Sequence, residues 1–209
     1  MAYAASATLR EMKHSPHPHT AARVAAVLVP LIACGSALAA RTAPSGLVYS
    51  TASAHVVQRQ PARGSCHALG SGLYARPDAH CTPGAANPSV TQQTIDSTIC
   101  HSGWTATVRP PESITRPEKL ASMAAYGIHS STSGFEYDHQ IPLELGGAVN
   151  DARNLWPEPD YATRSGFYLN PKDRLETALK HLVCNGSMSL ATAQRLIATN
   201  WVSAFHRYG

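Results

Sequence analysis

The chain has 209 residues, 44% of them hydrophobic and 14% charged, with 15 Pro, 14 Gly, 5 Cys and a net charge of +4. This composition allows one modest domain with extensions and excludes a charged disordered chain, a collagen-like repeat and a large multidomain enzyme. The positive charge belongs to the front: from Thr82 onward 10 Lys and Arg stand against 11 Asp and Glu, a net of −1, so nucleic-acid binding would need a local site.

Arg23 precedes an apolar run at 24–33 that contains Pro30. The run is too short to cross a bilayer as a helix but suits the hydrophobic segment of a secretory signal, which predicts removal of residues 1–39 and export to the periplasm, the medium or the cell envelope. Met12 offers a nearer start that keeps Lys13 and Arg23 as the positive flank. Two processing patterns overlap here. Ala37-Leu38-Ala39 fits signal-peptidase cleavage, whereas Leu31-Ile32-Ala33-Cys34 resembles a bacterial lipobox, which would place a lipid on Cys34 and associate the protein with a membrane. The polar stretch 40–64 has no period and reads as a flexible linker.

Apart from Cys34 the cysteines are Cys66, Cys81, Cys100 and Cys184, an even number in an oxidising compartment. Of the three pairings we prefer Cys66–Cys81, closing a local loop, with Cys100–Cys184, tying distant helices together. The rival is a zinc site from Cys66, His67, His80 and Cys81, which lacks the usual close-spaced ligand pairs on each side. Gly, Pro and Cys across 65–88 predict a disulfide-pinned irregular segment ahead of a working domain at 89–209.

Within that domain, Ser89-Val90-Thr91-Gln92 has the capping-box pattern, and Val90, Ile95 and Ile99 predict a helix over 90–100. A turn-rich link at 104–111 leads to a second box, Thr115-Arg116-Pro117-Glu118, and a short helix carrying Leu120, Met123 and Ala124 up to Gly127. Residues 135–141 and 151–156, on either side of Gly146-Gly147, predict a β-hairpin with a long loop. Asn170-Pro171-Lys172-Asp173 opens a stronger helix, with Leu175, Ala178, Leu179, Leu182 and Val183 on one stripe until Asn185-Gly186. A last helix starts near Ser189 and carries Leu190, Ala193, Leu196, Ile197 and Trp201. The order predicts an α+β fold without repeats.

Asp138 and His139 are adjacent on the first strand of the hairpin. A regular strand would send them to opposite faces, but at a strand end the carboxylate could hold a divalent metal while the imidazole faces a nucleophilic water. Tyr137-Asp138-His139-Gln140-Ile141-Pro142-Leu143-Glu144-Leu145-Gly146-Gly147, followed by Asn154-Leu155-Trp156-Pro157, resembles the HNH nucleases of the His-Me finger or ββα-metal superfamily, and especially small exported bacterial members. The likeness covers residues 82–209. It implies a ββα-metal hairpin-helix core packed with additional helices. It also implies an exported, metal-dependent endonuclease that hydrolyses phosphodiester bonds of DNA or RNA with little sequence preference. Position by position, it implies that His139 is the general base, Asp138 a metal ligand, and Asn154 the residue that braces the loop and orients His139.

The family pattern completes its metal site with a His or Asn early on the next helix, yet this chain has no His between His139 and His181. The residues present offer Asp173, Glu176 and Asn170 instead. Asp173 and Glu176 lie three apart on one helix face, and oxygen donors suit Mg²⁺ or Mn²⁺. Each has a structural rival: Asp173 complements the helix dipole, Asn170 caps the helix, and Glu176 pairs with Lys172 four residues earlier. Arg153, Arg164, Lys172 and Arg174 are the candidates for flanking phosphates. Leu143, Trp156 and Pro157 read as packing, and Glu144 as a loop brace with an arginine. The alternative function is a non-catalytic cell-envelope binding or structural module that keeps an HNH-like hairpin. No protein partner is deducible.

Overall fold

The aromatic-rich segment β3 (Phe135–His139) pairs antiparallel with β4 (Leu155–Pro159), in a register running from Phe135 opposite Pro159 to His139 opposite Leu155. The flanking bonds, Gln140 N–H to the Asn154 carbonyl at 2.7 Å and Asp160 N–H to the Gly134 carbonyl at 2.9 Å, put the ladder's hydrogen bonds on the even-numbered residues of both strands. Pro157 and Pro159 therefore occupy positions where no inward N–H is needed, which is what admits two prolines to a five-residue strand. The structure, a computed structural model, describes residues 46–160 and 170–209. The expected signal at 1–39, the lipidation candidate Cys34, and Arg164 lie outside the described residues.

The molecule is mixed α+β. A second two-stranded sheet joins β1 (Val48–Tyr49) parallel to β2 (Ala85–Ala86), and the helices are α1 (Trp104–Val108), α2 (Glu112–Ala125), α3 (Pro171–Cys184) and α4 (Leu190–Tyr208). Pro171 stands in the first turn of α3, where its missing N–H costs nothing. Ser189 caps α4 by accepting the Thr192 N–H at 3.3 Å. Leu175, Leu179 and Val183 of α3 join Ala193, Ile197 and Trp201 of α4, with Ile141 and Leu145 from the hairpin loop, in one buried core. The hairpin packs against the start of α3, which brings residues 138 and 172 together.

Both preferred disulfides are present, Cys66–Cys81 and Cys100–Cys184, and the first removes the zinc alternative. They suit an oxidising, extracytoplasmic environment. Among the described residues no helix is long and apolar enough to cross a membrane.

Four expectations are corrected. Residues 90–100 form turns and one short 3₁₀ stretch, Ile95–Ser97, rather than an α-helix, although Val90, Ile95 and Ile99 are buried as the stripe required. Here the Thr94 hydroxyl donates to the Ser89 carbonyl at 3.0 Å and the Thr98 hydroxyl to the Thr94 carbonyl at 2.7 Å, and such local bonds compete with a helical ladder. Part of the supposed turn-rich link at 104–111 is helical, as α1. Helix α2 starts at Glu112, so Pro117 lies inside it and not at its start. The returning strand begins at Leu155 instead of residue 151.

The segment expected to be a loose linker is pinned along residues 47–60. Besides β1, the Ser50 N–H bonds the Ala86 carbonyl at 2.9 Å, the Asn150 amide donates to the Ser53 and Val56 carbonyls, and the Gln58 N–H bonds Glu118 Oε1 at 2.5 Å. These partners lie dozens of residues away in sequence, so the strap carries no period of its own.

Candidate active site at the hairpin–helix junction

The two sides of strand β3 serve different surroundings, as alternation requires. Asp138 turns to α3 and meets Lys172. His139 lines a cleft of about 710 Å³ beneath α2, walled by Arg109, Arg116, Lys119, Glu136 and Tyr137 among others.

On the α3 side the Lys172 side chain is 0% exposed. Its ammonium donates to Asp138 Oδ2, to Glu176 Oε1 at 2.5 Å and to the His139 carbonyl at 2.8 Å, with Glu158 Oε2 at 3.6 Å. One ammonium thus stands among three carboxyl groups. Burial alone would lift the Asp138 carboxyl, but the Lys172 charge and hydrogen bonds from Glu158 and Lys172 hold it below the usual range. Burial pushes Glu158 well above its usual range and Glu176 up to about 8, Lys172 opposing in each case. Lys172 itself would be lowered by burial, yet Asp138, Glu176 and Glu158 together raise it far above its usual value, so the ammonium stays charged.

On the cleft side His139 is 7% exposed, and burial pushes its imidazole down to about 4 despite Asp138 beside it. It is therefore neutral at pH 7. Its Nε2 lies 3.1 Å from the Val149 carbonyl, an acceptor only, so Nε2 carries the proton and Nδ1 the free lone pair. Arg109 is close enough for its charge to oppose protonation of His139. Arg109 and Arg116 are exposed, and among the described residues their side chains make no ion pair or hydrogen bond. Lys119 is spent on the wall, donating to the Thr132 carbonyl at 3.0 Å and the Phe135 carbonyl at 2.5 Å. Glu112, Glu136 and Asp160 also line the cleft. Of these, Glu136 is raised to about 7, first by Asp138 and then by burial, so near neutrality it carries only part of a charge.

Asn154 is wholly buried and saturates its side chain on backbone. Oδ1 accepts from the Ala85 N–H at 3.1 Å and the Ile141 N–H at 2.9 Å, while Nδ2 donates to the Ile141 and Ala148 carbonyls, each at 3.0 Å. It closes the loop 141–148 next to Val149, and so acts on His139 through the Val149 carbonyl and not by touching the ring.

The other sequence candidates are scattered. Arg153 forms a forked pair with Asp151, at 2.9 Å from Nε and 2.6 Å from Nη2, and Arg174 lies over the Phe205 ring at 5.6 Å. Lys172 is buried in its ion cluster rather than offered to phosphate. Asp173 is half-buried and raised to about 6, first by burial and then by Asp138. Asn170 is buried and makes no capping bond with its side chain. Glu144 pairs with Lys180 at 3.2 Å instead of an arginine. Trp156 is buried against Tyr126, with ring centres 5.9 Å apart, and Leu143 is buried too.

Sequence reasoning missed Arg109, Arg116 and Glu136 as cleft residues and Glu158 as a cluster member. Only Glu158 had a readable signal, since strand alternation and the hairpin register put it on the Asp138 face.

The donors on the α3 side do not fit a divalent ion. Oxygen ligands are abundant, but the space that an ion bound to both Asp138 and Glu176 would take is the space of the Lys172 ammonium. Among the described residues, no three His, Cys, Asp or Glu side chains are disposed to hold a metal. Comparisons of the chain with family models, with curated proteins and with solved structures find no match.

Proposed function

We propose that this protein is an exported HNH-type endonuclease in which His139 activates the attacking hydroxyl or water and the α2 cleft receives the nucleic-acid backbone. On this reading β3, β4 and α3 are the ββα unit. The observation that carries it is a buried histidine whose Nε2 lies 3.1 Å from the Val149 carbonyl, lining a cleft with two arginines whose side chains have no other partner among the described residues. In the free protein His139 is a weak base, but a bound phosphate beside it adds negative charge and raises its proton affinity toward working pH. Arg109 and Arg116 supply charge to the phosphate, Val149 keeps Nε2 protonated, and Asn154 and Lys172 hold the two ends of the strand turn.

The test uses the oxidised mature chain with labelled DNA and RNA, comparing wild type, His139→Ala, and Arg109→Ala with Arg116→Ala. The histidine change is expected to slow cleavage by roughly 10²–10⁴-fold with little change in affinity. The double arginine change weakens binding and reduces the slope of log K against log salt by about 2. Equal cleavage by His139→Ala would refute the proposal. The lysine-filled carboxylate cluster favours a second reading, a non-catalytic module. Its signature is salt-dependent nucleic-acid binding by the wild type with no cleavage under any condition.

A further inference from the structure

We infer that Lys172 is the resident cation of the hairpin–helix junction, and that this chain takes no divalent ion at Asp138, Glu158 and Glu176. The inference rests on the nuclease reading only for its interest, because that reading makes this junction the place where an ion is expected; the geometry stands without it.

An ammonium has three hydrogens, and Lys172 has three acceptors in bonding position: Asp138 Oδ2, Glu176 Oε1 and the His139 carbonyl. Glu158 completes the surround. The stem is not free to withdraw. It leaves the first turn of α3, is wholly buried, and belongs to a helix whose Leu175, Leu179 and Val183 are also fully buried. Cys184, at the end of that helix, is bonded to Cys100. A divalent ion bound by Asp138 and Glu176 would have to lie against the ammonium or drive it into an apolar interior, and both are electrostatically prohibitive.

The same ammonium grips the Asp138 side chain and the His139 backbone, two adjacent residues that face opposite ways. Lys172 is therefore a positioning residue for His139. It supplies from within the chain the charge that a metal would otherwise supply to the strand end.

The test is metal binding, read independently of activity. The purified oxidised chain, stripped with EDTA, is titrated with Mn²⁺ followed by the electron paramagnetic resonance of the free ion, and with Tb³⁺ followed by luminescence. The wild type is expected to show no stoichiometric site and no shift in Tm with Mn²⁺ or EDTA. Lys172→Ala vacates the centre and is expected to bind Mn²⁺ about 100-fold more tightly than wild type, a gain abolished by adding Glu176→Gln. One Mn²⁺ per wild-type chain, lost in Asp138→Asn, would overturn the inference, as would a folded Lys172→Ala that binds nothing. If Lys172→Ala does not fold, the wild-type titration still decides. Absence of cleavage in every buffer would sink the nuclease reading and leave this one standing.

Discussion

Replacing Asn154 by Ala removes a side chain whose four hydrogen bonds all go to buried or loop-closing backbone. The amide ties Ala85 to Ile141 through Oδ1, and Ile141 to Ala148 through Nδ2. At a net value of about 1 kcal/mol per bond the loss is about 4 kcal/mol. Each backbone group left dry adds a desolvation penalty, while a single water entering the vacated space could recover two or three of the bonds. These opposing corrections bracket the cost at about 3–5 kcal/mol, a large share of the ~5–15 kcal/mol that a domain possesses. Urea unfolding at pH 7 with the disulfides intact, followed by tryptophan fluorescence, measures it directly. The m-value should stay unchanged, since Asn154 adds almost nothing to the surface exposed on unfolding. Asn154→Asp is expected to do no better, because it keeps an oxygen that accepts both N–H groups but turns a second carboxylate oxygen toward two carbonyls. A loss under about 1 kcal/mol for Asn154→Ala, with constant m, would refute the brace.

Gly147→Ala places a methyl group 1.7 Å from the Ile141 carbonyl oxygen, a backbone atom that cannot step aside, so it should cost more than about 3 kcal/mol. Gly127→Ala, at φ +66° with open space around it, should cost only about 1 kcal/mol in the same unfolding assay. Double serine replacement of Cys100 and Cys184, 84 residues apart, should lower stability by about 4–5 kcal/mol on loop entropy, against about 3 kcal/mol for Cys66 and Cys81, 15 apart. Reversal of that order in thermal unfolding would count against the entropic account. His139 has a folded pKa near 4 against an ordinary 6.5, so the unfolded chain binds its proton first as pH falls. The resulting penalty is absent at pH 7, grows below 6.5, and reaches about 3 kcal/mol near pH 4. Compared with His139→Gln, the wild type should lose that much between pH 7 and pH 4. Parallel pH profiles of the two proteins would show that His139 is not buried as a neutral ring.

The parts of this fold that were legible in the sequence are those whose instructions are local. Helix α3 has Pro171, a full apolar stripe and Asn185-Gly186 within a single window; α4 has Ser189 and its own stripe; the hairpin has two extended runs around a glycine pair. The disulfides followed from a count of four and the contrast between a short and a long separation. Residues 90–100 failed for the converse reason. Their apolar spacing serves burial equally well in a chain of turns, and three threonines between the apolar positions supply local bonds that compete with a helical ladder. The strap at 47–60 was illegible because Ala86, Glu118, Tyr137 and Asn150 give it shape from a distance, and nothing in its own composition records them.

At the candidate site the same distinction explains why the histidine could be read and the charges could not. His139 and Asn154 sit inside a contiguous motif, whereas Arg109 and Arg116 come from α2 and the turn before it, more than twenty residues upstream. Lys172 was visible, and its four-residue step to Glu176 predicted their pair; what the spacing could not convey is depth. An i, i+4 lysine–glutamate pair on a solvated helix face contributes a few tenths of a kcal/mol and leaves the carboxylate free for other ligands. With the face turned inward, the ammonium must find an acceptor for every hydrogen, so it takes Asp138 and the His139 carbonyl as well. Burial thus converts a surface pair into the junction of strand and helix. A change at Lys172 should then reach the cleft through the backbone of residue 139, although no atom of Lys172 faces that cleft.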